Sequence, residues 1–215
     1  MNVMTSANWY FDYVSPFPYL QLMRFGELPA DLEIRPKPIL LAALLNHWGH
    51  KGPAEIPAKR RQTYYYASWQ AARRGVDFAW PPRHPFNSLA LLRLTIVAGG
   101  SLDVIKTTYR HVFGTGHDGQ DTASINQLAE QLGVADWQSR VADPAVKAAV
   151  RANTDEAIER GVYGVPTISV AEQLFWGDDM LPMLLDFLRD PMLFDRAPYS
   201  ALDSIPPAAE RRSRP

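Results

Sequence analysis

The chain has 215 residues, 47% of them hydrophobic and 21% charged, with a net charge of −1 at pH 7 and no cysteine. Such a length and apolar content suit one domain, or one domain with a large insertion, able to bury a sizeable core. The near-zero charge gives no electrostatic basis for gripping a phosphate backbone, so no nucleic-acid partner is expected, and the lack of Cys excludes disulfides, thiolate metal sites and dithiol redox chemistry by the protein itself.

The first residues, M-N-V-M-T-S-A-N, have neither a basic nor an apolar leader pattern, and no apolar run approaches the ~20 residues of a membrane helix. A soluble, cytoplasmic protein without a membrane partner is expected. Residues 8 to 14, N-W-Y-F-D-Y-V, are aromatic and β-branched and predict a strand. Ser15-Pro16 then reads as a helix start, with Ser as N-cap and Pro at the first helical position, for a helix running to about Phe25 and stopping at Gly26. Residues 32–38, L-E-I-R-P-K-P, predict a second strand that two prolines confine to a sheet edge.

Between about Leu40 and Arg160 the pattern is mostly helical. Helices are predicted over 56–75, closed by Gly75; over 87–100, from a cap near Asn87; over 101–114; over 121–133, with Ile125, Leu128 and Leu132 on one face; and over 143–161, with Asp143 as cap, Pro144 at the first position and Gly161 as stop. Residues 166–170 and 172–176 then predict two strands joined by a tight turn, and 180–189 a closing helix. From Phe194 the chain is rich in Pro, Ser, Arg and Ala and reads as a loose tail. The order predicts an α/β fold: a sheet domain over 1–42 and 161–193, interrupted by an all-helical insertion over 43–160 and followed by a tail over 194–215.

Three stretches can carry chemistry. The first is Ser15-Pro16-Phe17-Pro18, plainly a helix cap, but also a place where a hydroxyl and a helix N-terminus would stabilise an anion such as a bound thiolate. The second is Val165-Pro166 before a strand, where a cis peptide would offer backbone groups to a ligand. The third is Phe175-Trp176-Gly177-Asp178-Asp179, whose carboxylates either cap a helix or hold a ligand ammonium. Other features are read plainly. G-T-G-H-D-G (114–119) follows a helix and is a loop, His47 and His50 lack further ligands, and Lys59-Arg60-Arg61 is a solvated face. Tyr64, Tyr65, Tyr66 and Trp69 are read as core, or as the lining of an apolar cleft.

Taken in order, the three stretches resemble a thioredoxin-like fold of the DsbA type, with S-P-F-P in place of C-x-x-C and V-P-T in place of the cis-Pro loop. Within it the chain resembles the glutathione-dependent 2-hydroxychromene-2-carboxylate isomerases and the kappa-class glutathione transferases. The matching stretches are F-D-Y-V-S-P-F-P-Y-L (11–20), G-P-A-E-I-P-A-K (52–59), P-P-R-H-P-F-N-S-L (81–89), G-V-Y-G-V-P-T (161–167) and L-F-W-G-D-D (174–179). The resemblance implies glutathione as cofactor, with Ser15 on its sulfur, Val165 and Pro166 on its cysteinyl part, and Trp176, Gly177, Asp178 and Asp179 on its γ-glutamyl end. It also implies isomerisation of a ring-opened aromatic acid by reversible thiolate addition, and a homodimer. The alternatives are a kappa-like transferase or peroxidase, and a non-catalytic DsbA-like binding scaffold. The chain departs from the isomerases where they carry a basic residue after the second strand, here Leu45, and an Asn-Arg pair past G-P, here Glu55-Ile56. Lys51, Lys59 and Arg83 remain as cations for a substrate carboxylate, so Lys51, Glu55, Ile56 and Arg83 mark the expected substrate region.

Overall fold

The computed structural model describes residues 5–209. Strand β1, Thr5–Phe11, lies between β2, Leu32–Pro38, which runs parallel to it, and β3, Thr167–Val170, which runs antiparallel. Strand β4, Gln173–Trp176, returns beside β3 through a turn in which Ala171 has φ 50°, giving the order β2-β1-β3-β4. Pro36 and Pro38 face Trp9 and Phe11 across the β1–β2 ladder, and β2 is indeed an edge strand, where a residue without an N–H costs least.

All residues between β2 and β3 that take regular structure are helical. The helices are α2 (Leu41–His47), α3 (Pro57–Arg74), α4 (Leu89–Val97), α5 (Leu102–Tyr109), α6 (Thr122–Gln131), α7 (Trp137–Ala142) and α8 (Pro144–Glu159). Helix α1, Pro16–Leu22, follows β1, and α9, Leu181–Arg189, follows β4. The fold is the α/β arrangement expected from the sequence, a sheet whose strands are separated by a helical segment. The cap and stop read from sequence at Asp143 and Gly75 hold, Asp143 accepting from Ala145 N–H and Gly75 closing α3 at φ 64°. The cap expected near Asn87 falls at Ser88, with Asn87 Oδ1 accepting from Leu89 N–H, and Ser101 and Asp121 add caps on Val104 and Ser124 N–H.

β1 is buried on both faces, with its period-two alternation sorting side chains between two cores. Ala7, Trp9 and Phe11 join Leu91, Leu94, Ile105, Tyr109 and Phe113 of the helical segment, and Phe175 and Leu184 of the C-terminal part. Tyr10, on the other face, joins Ile39, Leu44, Ala157, Val162 and Val165. The larger cluster thus crosses both points where the helical segment enters and leaves the sheet. At the edge of the second core, Glu156 accepts from Tyr10 Oη (3.0 Å) and Lys37 Nζ (2.7 Å). Burial, and then the Glu156 charge, push the Tyr10 hydroxyl up to about 12, so it stays a donor at neutral pH.

Four expectations are corrected. Helix α1 ends at Leu22, with a separate 3-10 turn over Phe25–Glu27. Helix α7 is an element absent from the sequence pattern; it begins after Asp136, whose φ of 49° breaks the preceding path. Tyr65, Tyr66 and Trp69 are exposed, because α3 turns Ala67, Gln70 and Ala71 inward where α1 approaches too closely for large rings. The loose tail is corrected for residues 194–204: Phe194 stacks on Phe187 (5.5 Å) and meets Tyr199 edge-on (5.3 Å), and Tyr199–Ser204 forms 3-10 turns. Tail residues 210–215 and the leader residues 1–4 lie outside the described residues. Among the described residues no helix is long and apolar enough to cross a membrane.

Candidate functional site

The antiparallel pairing of β1 with β3 decides what meets what. Tyr10 pairs with Thr167, so the chain leaving β1 toward Ser15 and the chain entering β3 through Val165 emerge at one end of the sheet. Thr167 pairs with Trp176, so the start of the Trp176–Asp179 segment lies at that end too. The Ser15 turn is therefore brought beside two stretches from the far end of the chain.

Ser15 is buried and holds the N-cap position with extended backbone, φ −99° and ψ 131°, yet its hydroxyl makes no capping hydrogen bond. Part of the reason is in the sequence. A cap hydroxyl accepts from the second or third helical N–H, and the third residue here is Pro18, which has none. Two prolines in the first turn leave Phe17 as its only N–H donor, and that group has no hydrogen-bond partner among the described residues. The turn itself is rigid. Asp12 accepts Val14 N–H (3.0 Å) and Leu41 N–H (2.8 Å) on its carboxyl, and Ser15 N–H (3.1 Å) and the Tyr109 hydroxyl (3.0 Å) on its carbonyl. Burial raises the Asp12 carboxyl above its ordinary range, against the opposing pull of the Ser88 hydroxyl and those two N–H groups.

Val165-Pro166 is a cis peptide. Val165 is buried, but its N–H and C=O find no hydrogen-bond partner among the described residues. Its neighbours are all fixed: Gly177 N–H donates to Pro166 O (2.8 Å), the Thr167 hydroxyl to Gly164 O (2.8 Å), and Trp48 Nε1 to Val162 O (2.9 Å). A backbone pair left open inside such a frame is available to an outside partner, water or a ligand. Trp176, exposed, lies over Gly164 and meets Tyr163 edge-on at 5.0 Å. A Cβ at Gly164 would collide with Trp176 Nε1. Gly164→Ala is therefore expected to expel the indole at modest cost, about 1 kcal/mol or a few degrees in Tm. A crystal structure of the variant showing Trp176 unmoved would contradict this.

The two carboxylates differ. Asp178 is buried, bonded to Arg74 Nη2 (2.6 Å) and Arg24 Nη1 (3.4 Å), with Arg24 also donating to its carbonyl (3.0 Å). Asp179 is exposed, has no ion pair among the described residues, and folds back over Gly177, where φ is 97° and a Cβ would collide with Asp179 Oδ1. Gln21 ties this segment to α1, donating to Gly177 O (3.1 Å) while accepting from Trp9 Nε1 (2.8 Å).

The expected substrate region is placed less closely together. Leu45 is half-buried on α2, and Lys51 is exposed with no ion pair among the described residues. Glu55 turns its carboxylate back onto Gly52 N–H, and Ile56, half-buried, precedes α3. Arg83 is engaged by Asp118, at 2.7 Å from Nε and 2.5 Å from Nη2. His47 and His50 are exposed, as are Lys59, Arg60 and Arg61. Sequence reasoning assigns no role to Tyr163 or Trp48, although both are aromatic residues within or beside the matching stretches, nor to Arg24 and Arg74, whose only signal is their partner.

Residues 8–189 match the family model of the DSBA-like thioredoxin domain. The chain is 28% identical over 195 residues to the 2-hydroxychromene-2-carboxylate isomerase of Sphingobium xenophagum, covering 86% of this chain and 98% of that one. It is 25% identical over 207 residues to glutathione S-transferase kappa 2 of Caenorhabditis elegans, covering 86% and 92%. A solved structure of a 2-hydroxychromene-2-carboxylate isomerase superposes with a TM-score of 0.77 at 25% identity, over 86% of this chain and 94% of that one.

Proposed function

The chain belongs to the DSBA-like thioredoxin family, and from that premise we propose that it is a glutathione-dependent isomerase of the 2-hydroxychromene-2-carboxylate type. One observation carries the reading: an uncommitted hydroxyl at Ser15 and an open backbone pair at Val165, at the same end of the sheet, in a chain without any sulfur nucleophile. The residues present fit glutathione. Val165 N–H and C=O would take its cysteinyl backbone as an added strand does, with Pro166 and Trp176 flanking it. The Ser15 hydroxyl and Phe17 N–H would face its sulfur, and Gly177 and Asp179 its γ-glutamyl end. Asp179 would meet the ammonium, since Asp178 is already neutralised by two guanidiniums and serves to hold that segment down.

Bound glutathione would supply a sulfur that adds to a conjugated carbon and leaves again, with rotation about the intervening bond. The chain's part is to keep that sulfur anionic, to hold the reactants in register, and to exclude water with the Trp176–Tyr163 rim. With Arg83 engaged by Asp118, Lys51 is the cation best able to meet the carboxylate of a small aromatic acid. The proposal entails a cytosolic protein, since glutathione is kept reduced there.

Calorimetry is expected to show glutathione binding at millimolar concentration or below; heat-silent titration would sink the reading. Turnover of a conjugated enone without net loss of glutathione distinguishes the isomerase from the kappa-like transferase, which the 25% identical nematode relative keeps in view and which would consume glutathione one for one.

A further inference from the structure

His84 lies directly behind the turn that presents Ser15, and its hydrogen bonds can be counted. Nε2 is 2.7 Å from the Val14 carbonyl oxygen, which only accepts, so Nε2 carries a hydrogen. Nδ1 is 2.8 Å from the Tyr64 hydroxyl, and that hydroxyl is 2.9 Å from the His84 carbonyl oxygen, again an acceptor only. Tyr64 has a single hydrogen. If it points at Nδ1, two oxygens face each other at 2.9 Å with nothing between them. If it points at the carbonyl, Nδ1 must itself donate. Only the doubly protonated imidazolium satisfies all three contacts.

The charged groups around the ring do not favour that form unaided. Arg60 and Tyr64 face it from α3; Arg60 repels a proton and the Tyr64 hydroxyl is held neutral by burial. Trp80, Phe113 and Phe86, at 5.1, 6.2 and 6.3 Å, are uncharged. Arg83, next in the chain, is paired with Asp118. Asp12, beyond Val14, commits its carboxyl to Val14 and Leu41 N–H. Burial keeps the ring's pKa below its ordinary value, with the Val14 carbonyl opposing and Arg60 adding to it. What is missing is a negative charge, and the place for one is at hand. Covalent geometry from the Val14 carbonyl puts the Ser15 Cα within roughly 7 Å of Nε2.

We propose that His84 is a positioning residue that clamps the Val14 carbonyl and takes up a second proton when an anion occupies the space in front of Ser15. Tyr64 supports the charged ring by accepting a hydrogen bond from Nδ1. Under the proposed function, on which this application rests, the anion is the glutathione thiolate, and the site gains a full positive charge only once it holds one. Beyond the Ser15 side chain, at roughly 10 Å and an effective dielectric of about 20, an opposite charge shifts the protonation equilibrium by about tenfold.

The test does not need glutathione. In Ser15→Asp the anion is part of the chain, and nitrogen NMR of the His84 ring should show its titration moved up by about one pH unit relative to the unmodified protein, the tenfold shift expected of a nearby opposite charge. Combining Ser15→Asp with Tyr64→Phe should abolish most of that shift. A Ser15→Asp titration identical to that of the unmodified protein overturns the inference. Should that variant not fold, the unmodified protein with glutathione, against S-methylglutathione, which cannot form a thiolate, decides the same question: the second proton should appear with the first ligand alone. Failure of both ligands to bind refutes the proposed function, and the His84 titration of Ser15→Glu, which brings the same charge on a longer side chain, then decides on His84: an unshifted ring overturns the inference. Binding of both with no change at His84 refutes only this inference.

Discussion

Ser15→Ala is expected to lower kcat/KM for glutathione-dependent isomerisation about 10²- to 10³-fold, the usual cost of losing one donor aimed at a developing anion, while leaving Tm nearly unchanged. The unchanged Tm is the unusual part. Replacing a serine N-cap by alanine ordinarily costs about 1 kcal/mol, because a hydrogen bond to the first turn is lost. Here no such bond exists: Pro18 removes the third helical N–H, and the Ser15 hydroxyl does not take the Phe17 N–H. The burial of Ser15 and the rigidity of its turn come from Asp12, whose contacts the substitution does not touch. A serine retained for stability would show the opposite pattern: a fall of several degrees in Tm and activity within a few-fold of normal. Kinetics and a melting curve on one preparation separate the two. Binding of S-methylglutathione should persist in the variant, because Val165 and the Trp176–Asp179 segment are intact, so that loss of activity with ligand still bound places the effect at the sulfur.

The legible part of this architecture is whatever local chemistry dictates. Ser15-Pro16 and Asp143-Pro144 announce their helix starts through proline's fixed φ and missing N–H, and Gly75 its helix end through the positive φ glycine takes freely, and all three are where the pattern puts them. S-P-F-P accounts for part of the free hydroxyl of Ser15, because Pro18 removes one of the two N–H groups a cap can accept from; the other, Phe17 N–H, is present but unused. What sequence leaves out are pairings made across the fold. Nothing within a few residues of Asp178 distinguishes it from Asp179; its burial is imposed by Arg24 and Arg74, which reach it only once α1 and α3 lie side by side. Arg83 reads as free because Asp118 is remote in sequence. His84 carries no signal within P-P-R-H-P-F-N-S-L because its interest lies in Tyr64 and Val14, neither of which is near it in the chain. The aromatic run of α3 misleads for a different reason: Ala67 and Ala71 pack against Leu20, so small residues win the inward face and the rings of Tyr65, Tyr66 and Trp69 are left outside.

Asp12→Ala is expected to be the most damaging single substitution away from the ligand, lowering stability by about 3–5 kcal/mol. It leaves the Val14 and Leu41 N–H groups without acceptors, at about 1–3 kcal/mol for each donor that stays buried, and adds a void. For a domain of this size, the loss corresponds to a fall of roughly 10 °C in Tm. The same carboxyl has a signature in pH. Burial raises its folded-state pKa above the unfolded value of 3.8, so folding takes up a proton between the two. Its contribution to stability is therefore full below pH 3.8 and is lost as the pH rises through the folded value, the reverse of a carboxylate in an ion pair. Asp12→Asn abolishes that proton uptake and so should abolish its slope. Denaturant unfolding of both proteins near pH 4 and near pH 7 measures it: the advantage of the unmodified protein over the Asn variant should shrink as the pH rises. A growing advantage would mean that the three hydrogen-bond donors around Asp12 outweigh its burial, and that the turn behind Ser15 is held by a carboxylate rather than by a carboxylic acid. The distinction bears on the site itself, because an ionised Asp12 would stand as a second negative charge behind any thiolate at Ser15 and would oppose holding that sulfur as an anion, while adding to the pull on a second proton at His84.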